Sequence, residues 1–165
     1  MYRKSYSSTG SKISSGIEEP SISVRELIMP YFVIDGSRKR EPISTMPGIA
    51  RLSIDNLLKD VKDSSRLGIR RVLLFGVPQR RHKNEEGSYA YAKESIVPRA
   101  ISALKQKIKG ITIFTDLCLC AYTSHGHCGI LKSPSHQFII DNKKTLEALS
   151  KTALAHAQAG AAWVA

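Results

Sequence analysis

The stretches RVLLFGV (71–77) and ITIFTDLCL (111–119) decide the fold, because a helical pattern lies between them. Both are short apolar runs rich in β-branched residues, which is typical of buried strands. Between them, Ser95 can cap a helix and Gly110 can end it. The apolar face of this helix is predicted to consist of Val97, Ile101, Leu104 and Ile108. The segment therefore predicts a strand–helix–strand unit with parallel strands.

The same alternation continues upstream of this unit. LIMPYFVI (27–34) predicts a first strand, and residues 35–52, with their prolines and glycines, are interpreted as a loop with turns. Ser53 can cap a further helix that Gly68 ends. Its apolar stripe is predicted to consist of Ile54, Leu57, Leu58 and Val61. A long polar loop at 78–94 then separates the second strand from the next helix.

A third helix and a fourth strand are predicted at the end of the chain. Asp141 or Asn142 can cap the helix, and Gly160 can end it. Its inward residues are predicted to be Leu146, Leu149 and Ala153. AAWVA (161–165) is the fourth apolar run and predicts a strand.

Strands and helices therefore alternate, which predicts an α/β fold with a parallel sheet and right-handed crossovers. Such a sheet is either doubly wound or part of a (β/α)8 barrel, and in both the loops after the strands form the functional face. No G-x-G-x-x-G motif follows the first strand, which disfavours a nucleotide-binding sheet. The 78–94 loop and the cysteine-rich loop after 119 are both expected on that face.

The composition limits the class of protein. The chain has 165 residues, 42% of them hydrophobic, and no apolar run near the ~18 residues that span a bilayer, so no membrane partner is expected. The formal net charge is +11, but the basic residues are scattered, which disfavours nucleic acid as a partner. Residues 1–23, rich in serine and basic at the start, are interpreted as a flexible arm. An odd number of closely spaced cysteines, three, favours a reducing, cytoplasmic setting.

All three cysteines lie in one segment, where they form a candidate metal site. Cys118 and Cys120 are two apart, a spacing that on a strand turns both sulfurs to one side, and Cys128 returns after a glycine turn. Three thiolates suit zinc, and three protein ligands leave one tetrahedral position open. His125 or His127 could instead close the site as a fourth ligand.

Simpler interpretations of these residues stand beside the metal site. Cysteine is commonly a small buried hydrophobe, so a C-x-C pair can serve packing alone. A disulfide between Cys118 and Cys120 is not expected, because same-side neighbours on a strand are near the upper limit of Cα separation. Asp116, at the end of the third strand, is either a proton acceptor for a substrate or a solvated strand terminus.

At this point the residues resemble a known family, porphobilinogen synthase or 5-aminolevulinate dehydratase. FTDLCLCAYTSHGHCGIL (114–131) resembles its metal-binding segment, and three further stretches fit the family in the same order. These are REPISTMPGIARLSID (40–55), NEEGSYAY (84–91) and ALAHAQAGAAWVA (153–165). The resemblance covers the chain from about 24 to its end.

The resemblance implies a TIM barrel, of which residues 24–165 are about the first half, preceded by an arm that wraps a neighbouring subunit of an octamer. It implies condensation of two 5-aminolevulinate molecules to porphobilinogen, an early step toward haem. In the zinc-dependent branch three cysteines hold the ion, and these match Cys118, Cys120 and Cys128. Asp116 matches an active-site aspartate, and His127 matches a histidine that lies near the metal without binding it.

Members of the family are much longer than this chain, and their two Schiff-base lysines lie in the C-terminal half. We therefore expect an incomplete version of the enzyme that is inactive by itself. Unpaired strand edges and an apolar inner face would make a half barrel associate or need a partner. A non-enzymatic zinc-binding or regulatory fragment, and a basic nucleic-acid binder with structural zinc, remain the alternatives.

Overall fold

The computed structural model describes residues 21–132 and 139–165, which form one sheet covered by helices. The strands are β1 (Ile28–Val33), β2 (Arg40–Pro42), β3 (Ala50–Leu52), β4 (Arg71–Gly76), β5 (Thr112–Thr115) and β6 (Trp163–Val164). The α-helices are α1 (Ile54–Arg66), α2 (Ile96–Lys107) and α3 (Asn142–Ala159). Short 3-10 helices lie at Val24–Glu26, Arg80–His82 and Ser88–Tyr91. The predicted flexible arm lies almost entirely outside the described residues.

The strand order is β2-β3-β1-β4-β5-β6, and the ladder from β1 through β4 and β5 to β6 is parallel throughout. One helix connects each successive pair, α1 before β4, α2 before β5 and α3 before β6. The four predicted strands and three predicted helices are therefore confirmed. Parallel strands also bring their carboxyl ends to one edge of the sheet, where the cysteine-rich loop begins.

All three helices pack on the same face of the sheet. Side chains of β1, β4 and β5 form a buried core with those of α1 and α2. On the same face, His156 of α3 approaches Thr115 of β5, with Nδ1 and Oγ1 3.0 Å apart. A doubly wound sheet would carry helices on both faces. Helices on one face of a partial parallel sheet are instead consistent with half of a barrel.

The opposite face of the sheet is apolar and only partly covered. Phe32 stacks on Phe75 with ring centroids 5.2 Å apart, and Phe114 stacks on Trp163 at 5.9 Å. Trp163 nevertheless leaves 62% of its surface exposed. In a closed barrel this face would be the interior, filled by layers of side chains.

The interpretation of 35–52 as a loop with turns was wrong in part. Strands β2 and β3 pair antiparallel there, and β3 then pairs in parallel with the end of β1. The backbone N–H of Arg38 reaches both carboxylate oxygens of Asp55, at 3.1 and 2.9 Å, and attaches the hairpin to α1. Each strand has only three residues, too few to show a strand period.

The helix boundaries were predicted well, but the capping chemistry was not. The side chains of Ser53 and Ser95 make no capping hydrogen bond. Ser53 Oγ instead donates to Asp55 at 2.6 Å and accepts from the Lys39 N–H at 2.9 Å. The open choice at α3 is resolved, because the Asp141 side chain accepts from the Lys144 N–H.

The predicted inward face of α3 was wrong at one residue. Leu146 is 63% exposed, and the buried face is formed by Thr145, Ala148, Thr152 and His156. Leu149 and Ala153 are half-buried beside it. The hydroxyls of Thr145 and Thr152 have partners in the Ile130 N–H and the Ala148 carbonyl, which makes their burial possible.

Candidate metal centre

The three cysteines converge at the carboxyl end of β5. All three are free thiols, and their sulfur atoms lie within 4.8 Å of one another. Cys118 Sγ and Cys120 Sγ are 3.3 Å apart. Sulfurs bound at about 2.3 Å to one tetrahedral ion are separated by roughly 3.8 Å, so this cluster fits a single zinc-sized ion.

The prediction that the sulfurs converge was right, but the reason given for it was wrong. Strand β5 ends at Thr115, so neither Cys118 nor Cys120 lies on a strand. A turn brings them together instead, in which the Tyr122 and Thr123 N–H groups both donate to the Leu119 carbonyl, at 2.8 and 2.9 Å. Leu119 points into a small core, and the two flanking cysteines stay half-buried.

A second hydrophobic cluster holds this turn in place. Ala90, Leu119, Tyr122, Ile130 and Ala148 are buried together, apart from the main core. The Tyr122 hydroxyl packs against the end of β4, where a Cβ added to Gly76 would lie 2.1 Å from it. Only glycine at that point admits the tyrosine. The cysteine loop is thus packed on the sheet by contacts between residues that are distant in sequence.

The 78–94 loop also binds the cysteine loop. Asn84 and Thr123 form a parallel bridge. In it, the Asn84 N–H donates to the Tyr122 carbonyl, and the Ser124 N–H donates to the Asn84 carbonyl. The sequence predicts that both loops lie on one face, but it does not indicate Asn84 and Tyr122 as supports. No motif marks them, because their role depends on a pairing between distant segments.

His125 is unsuited to complete the metal site. Its Nδ1 accepts the His127 backbone N–H at 3.2 Å, and its Nε2 lies 3.2 Å from the Glu85 carbonyl. With Nδ1 as an acceptor, Nε2 carries the proton and donates to that carbonyl. Both nitrogens are therefore engaged. Among the described residues, the cluster able to hold a metal contains the three cysteines and neither histidine.

His127 lies inside the cysteine loop, one residue before Cys128. Its carbonyl accepts the Thr123 hydroxyl at 2.9 Å, and its ring is tilted against that of His125 at a centroid distance of 5.4 Å. These contacts fix the return of the chain toward the third sulfur. That His127 supports the site without binding the ion stays a prediction.

Asp116 follows β5 directly and is held by its backbone, since its N–H donates to the Leu74 carbonyl at 3.2 Å. The side chain is half-buried, and burial raises the pKa of its carboxyl above the usual value. A carboxyl with a raised pKa exchanges a proton more readily near neutral pH than a solvated one does.

Ionisation of the clustered thiols is unfavourable without a cation. Burial raises the pKa of Cys120 to about 12, and the neighbouring sulfurs add to the shift. The pKa of Cys128 is also raised, first of all by its hydrogen bond with Cys118. A divalent cation among the three sulfurs would offset the repulsion between thiolates and so favour their ionisation.

The chain is therefore an α/β protein with a partial parallel sheet, which is consistent with half of a barrel. At the carboxyl ends of its strands it carries a cluster of three thiols that could hold a metal. The sequence model described as delta-aminolevulinic acid dehydratase matches residues 2–165. The chain belongs to the delta-aminolevulinic acid dehydratase family, which confirms the resemblance seen in the sequence.

Individual relatives agree with this assignment. A delta-aminolevulinic acid dehydratase of Methanothermus sociabilis is 43% identical over 155 residues, which is 94% of this chain and 46% of the relative. One of Ruminiclostridium josui is 37% identical over 157 residues, 95% of this chain and 74% of that protein. The chain thus spans about half the length of most of the curated relatives it matches.

A solved structure shows the same fold. It is the delta-aminolevulinic acid dehydratase (porphobilinogen synthase) of Toxoplasma gondii in complex with the reaction product porphobilinogen. The TM-score is 0.84 at 34% identity, and the match covers 90% of this chain and 41% of the other. Among the residues described here, no helix is both long and apolar enough to span a membrane.

Proposed function

We propose that this chain supplies the N-terminal half of a porphobilinogen synthase. The reaction condenses two molecules of 5-aminolevulinate to porphobilinogen, releases two waters, and leads toward haem. One observation carries the proposal beyond family membership. Three free thiols lie within 4.8 Å of one another in the loop after β5, where a barrel enzyme places its active site.

Zinc is the metal that suits this site best. Cys118, Cys120 and Cys128 would hold it, and the engaged nitrogens of His125 keep that histidine from the fourth position, which would stay open to a substrate. When bound, zinc would act as a Lewis acid that binds and orients one substrate. A structural zinc site would normally be closed by a fourth protein ligand, so the open position favours a catalytic role.

The chain's own residues would position the reacting groups. Asp116, half-buried two residues before the first thiol, would accept a proton from a substrate amine or orient it. His127 would hold the Cys128 arm of the loop through the Thr123 hydrogen bond. The 78–94 loop, joined to the cysteine loop at Asn84, would keep both segments on the same side of the substrate.

The rest of the family's machinery would come from elsewhere. No lysine of this chain is assigned a Schiff-base role, since the family's two lysines lie in its C-terminal half. By itself the chain is expected to be inactive. Assembly into a homo-oligomer, an octamer in the family, and a cytoplasmic location complete the proposal.

A chimera tests the catalytic role. Residues 1–165 would replace the matching segment of the Methanothermus sociabilis relative, which is 43% identical. With zinc, the chimera should form porphobilinogen, and Cys120→Ser should abolish turnover together with most of the bound zinc. Arg81→Gln, at an exposed residue outside the cluster, is the matched control and should retain both. A chimera that binds one zinc per chain yet forms no product would contradict the proposal.

The second candidate is a non-enzymatic zinc-binding or regulatory fragment. It is favoured by one finding, the three converging thiols, which could hold an ion without any catalytic partner. The two functions separate in the chimera experiment. Zinc binding without any product formation supports the fragment, whereas turnover supports the enzyme.

A further inference from the structure

One carboxylate joins three segments at the carboxyl end of β1. Asp35 lies two residues after that strand, and its side chain is only 11% exposed. Its Oδ1 accepts from Arg99 Nη1 on α2 at 2.8 Å, and its Oδ2 lies 3.9 Å from His82 Nδ1 in the 78–94 loop. A single side chain therefore connects the end of β1 with both the start of α2 and this loop.

The contact between Asp35 and His82 is shielded from water. Asp35 Oδ2 and His82 Nδ1 are both buried, and within the part of the chain that the structure describes neither has a hydrogen-bond partner. A carboxylate oxygen only accepts, so the two atoms attract each other when Nδ1 carries the proton. Such an attraction is stronger in a partly buried position than in water. The contact thus holds the loop toward the end of β1.

His82 in turn closes the base of a short turn. Its ring stacks on that of Tyr89, with the centroids 4.2 Å apart. Between these residues in the chain, Asn84 Nδ2 donates to the Ser88 hydroxyl at 2.6 Å, and Asn84 Oδ1 accepts the Ser88 N–H at 3.1 Å. Residues 82–89, which we call the Asn84 turn, are therefore closed both by stacking and by hydrogen bonds.

The Asn84 turn contacts the cysteine loop directly. The Asn84 carbonyl accepts the Ser124 N–H at 2.9 Å. Gly87 faces the same segment, since a Cβ added there would lie 3.3 Å from Thr123 Cγ2. Both contacts fall between the second and the third cysteine, in the segment that brings the third sulfur to the other two. The position of the turn therefore influences how the three sulfurs gather.

We propose that Asp35 is a positioning residue for the metal centre, acting through His82 and the Asn84 turn. The inference rests on the proposed function, in which the three thiols hold zinc. Asp35 lies outside the three-thiol cluster and fixes the turn against which the cysteine loop packs. A loop held in place beforehand loses less entropy when its sulfurs gather around an ion. Residues behind the ligands commonly set metal affinity in a similar way.

The test is the zinc affinity of the full chain, measured by competition with a coloured chelator. Asp35→Asn and His82→Leu should each weaken zinc binding about fivefold, which is less than the loss expected for a group that contacts a ligand directly. At saturating Co²⁺ both variants should show the wild-type sulfur-to-metal absorption, because all three thiols remain.

Two further variants separate positioning from a general loss of stability. Because Asp35 and His82 act through one link, the double variant of Asp35→Asn and His82→Leu should also lose about fivefold, rather than about 25-fold. His82→Asn keeps a side-chain amide that can donate to Asp35, so it should retain most of the wild-type affinity.

Arg99→Gln is the matched control. It removes the other partner of the same carboxylate and leaves the contact with His82 in place. We expect it to lower the urea midpoint slightly, as the loss of a partly exposed ion pair does, and to leave the zinc affinity unchanged.

Three results would overturn the positioning role. They are unchanged zinc affinity in Asp35→Asn and His82→Leu, an equal loss in Arg99→Gln, and additive losses in the double variant. The outcome is separable from that of the proposed function. A productive chimera whose zinc affinity is independent of Asp35 and His82 removes only this inference, whereas an unproductive chimera whose zinc affinity depends on both removes only the enzyme assignment.

Discussion

The two faces of the sheet are built from alternate residues of the same strands, yet the described helices cover only one of them. On the helix side, Val33, Val72 and Leu74 are fully buried against α1 and α2. On the other side, Phe32 and Phe75 stack on each other and remain partly exposed. One face finds its partners within the described residues, and the other presents aromatic rings that no described helix covers.

The difference shows which interactions this part of the chain can supply alone. Helix packing closes one face and, through Tyr122 at Gly76, also anchors the metal loop. The opposite face is the one that a barrel would turn inward, in agreement with coverage of about half of most relatives. The cysteine loop is therefore held mainly by contacts on the helix-covered face of the sheet.

The largest loss of stability is expected at one of two neighbouring leucines of β4. Leu74 is fully buried on the helix side, whereas Leu73 faces the open side and is half-buried. Leu74→Ala should reduce the free energy of unfolding by about 2–5 kcal/mol, through lost burial and the cavity left behind. Leu73→Ala should cost less than half as much. Urea denaturation measures both, and equal losses would refute the distinction between the two faces.

A smaller effect of about 3 kcal/mol should come from the buried His156 of α3. Burial lowers its pKa from 6.5 to about 4. Because the unfolded chain binds the proton more readily, His156 should reduce stability progressively as pH falls from about 6.5 to 4. His156→Gln should abolish this pH-dependent loss of stability. The measurement is the difference in unfolding free energy between wild type and variant at pH 7 and pH 4.5, and a difference independent of pH would contradict the prediction.

A loss of about 1–3 kcal/mol is expected from Gly76→Ala, since overpacking a buried site forces its neighbours apart. The added Cβ would meet the Tyr122 hydroxyl at 2.1 Å and Val97 Cγ2 at 2.7 Å. Tyr122→Phe in the same chain removes the closest atom and should restore part of the stability and of the zinc affinity. If the double variant is no better than Gly76→Ala alone, the tyrosine does not anchor the metal loop through this contact.

The sequence predicted the parts of the fold that rest on local patterns. Four apolar runs became the parallel strands, and the glycines at 68 and 160 follow the helices they were expected to end. Pairings between distant residues were missed, namely the β2–β3 hairpin and the bridge from Asn84 to Thr123. Leu146 was assigned inward from its type, but the threonines of α3 occupy the buried face because the main chain satisfies their hydroxyls.

The candidate site was predicted from residue types more securely than from geometry. Cysteines at 118, 120 and 128 do converge, through a turn that the C-x-C spacing did not indicate. Whether His125 can close the site needed coordinates, because it depends on what its two ring nitrogens contact. Such contacts come from the folded loop and carry no sequence signature.

Cobalt substitution tests the central claim most directly. If Cys118, Cys120 and Cys128 hold one ion, the Co²⁺-loaded chain should show intense sulfur-to-metal charge-transfer absorption at one equivalent per chain, and Cys128→Ser should reduce it by about a third. Absence of that absorption, or a spectrum unchanged in Cys128→Ser, would contradict the three-thiolate centre.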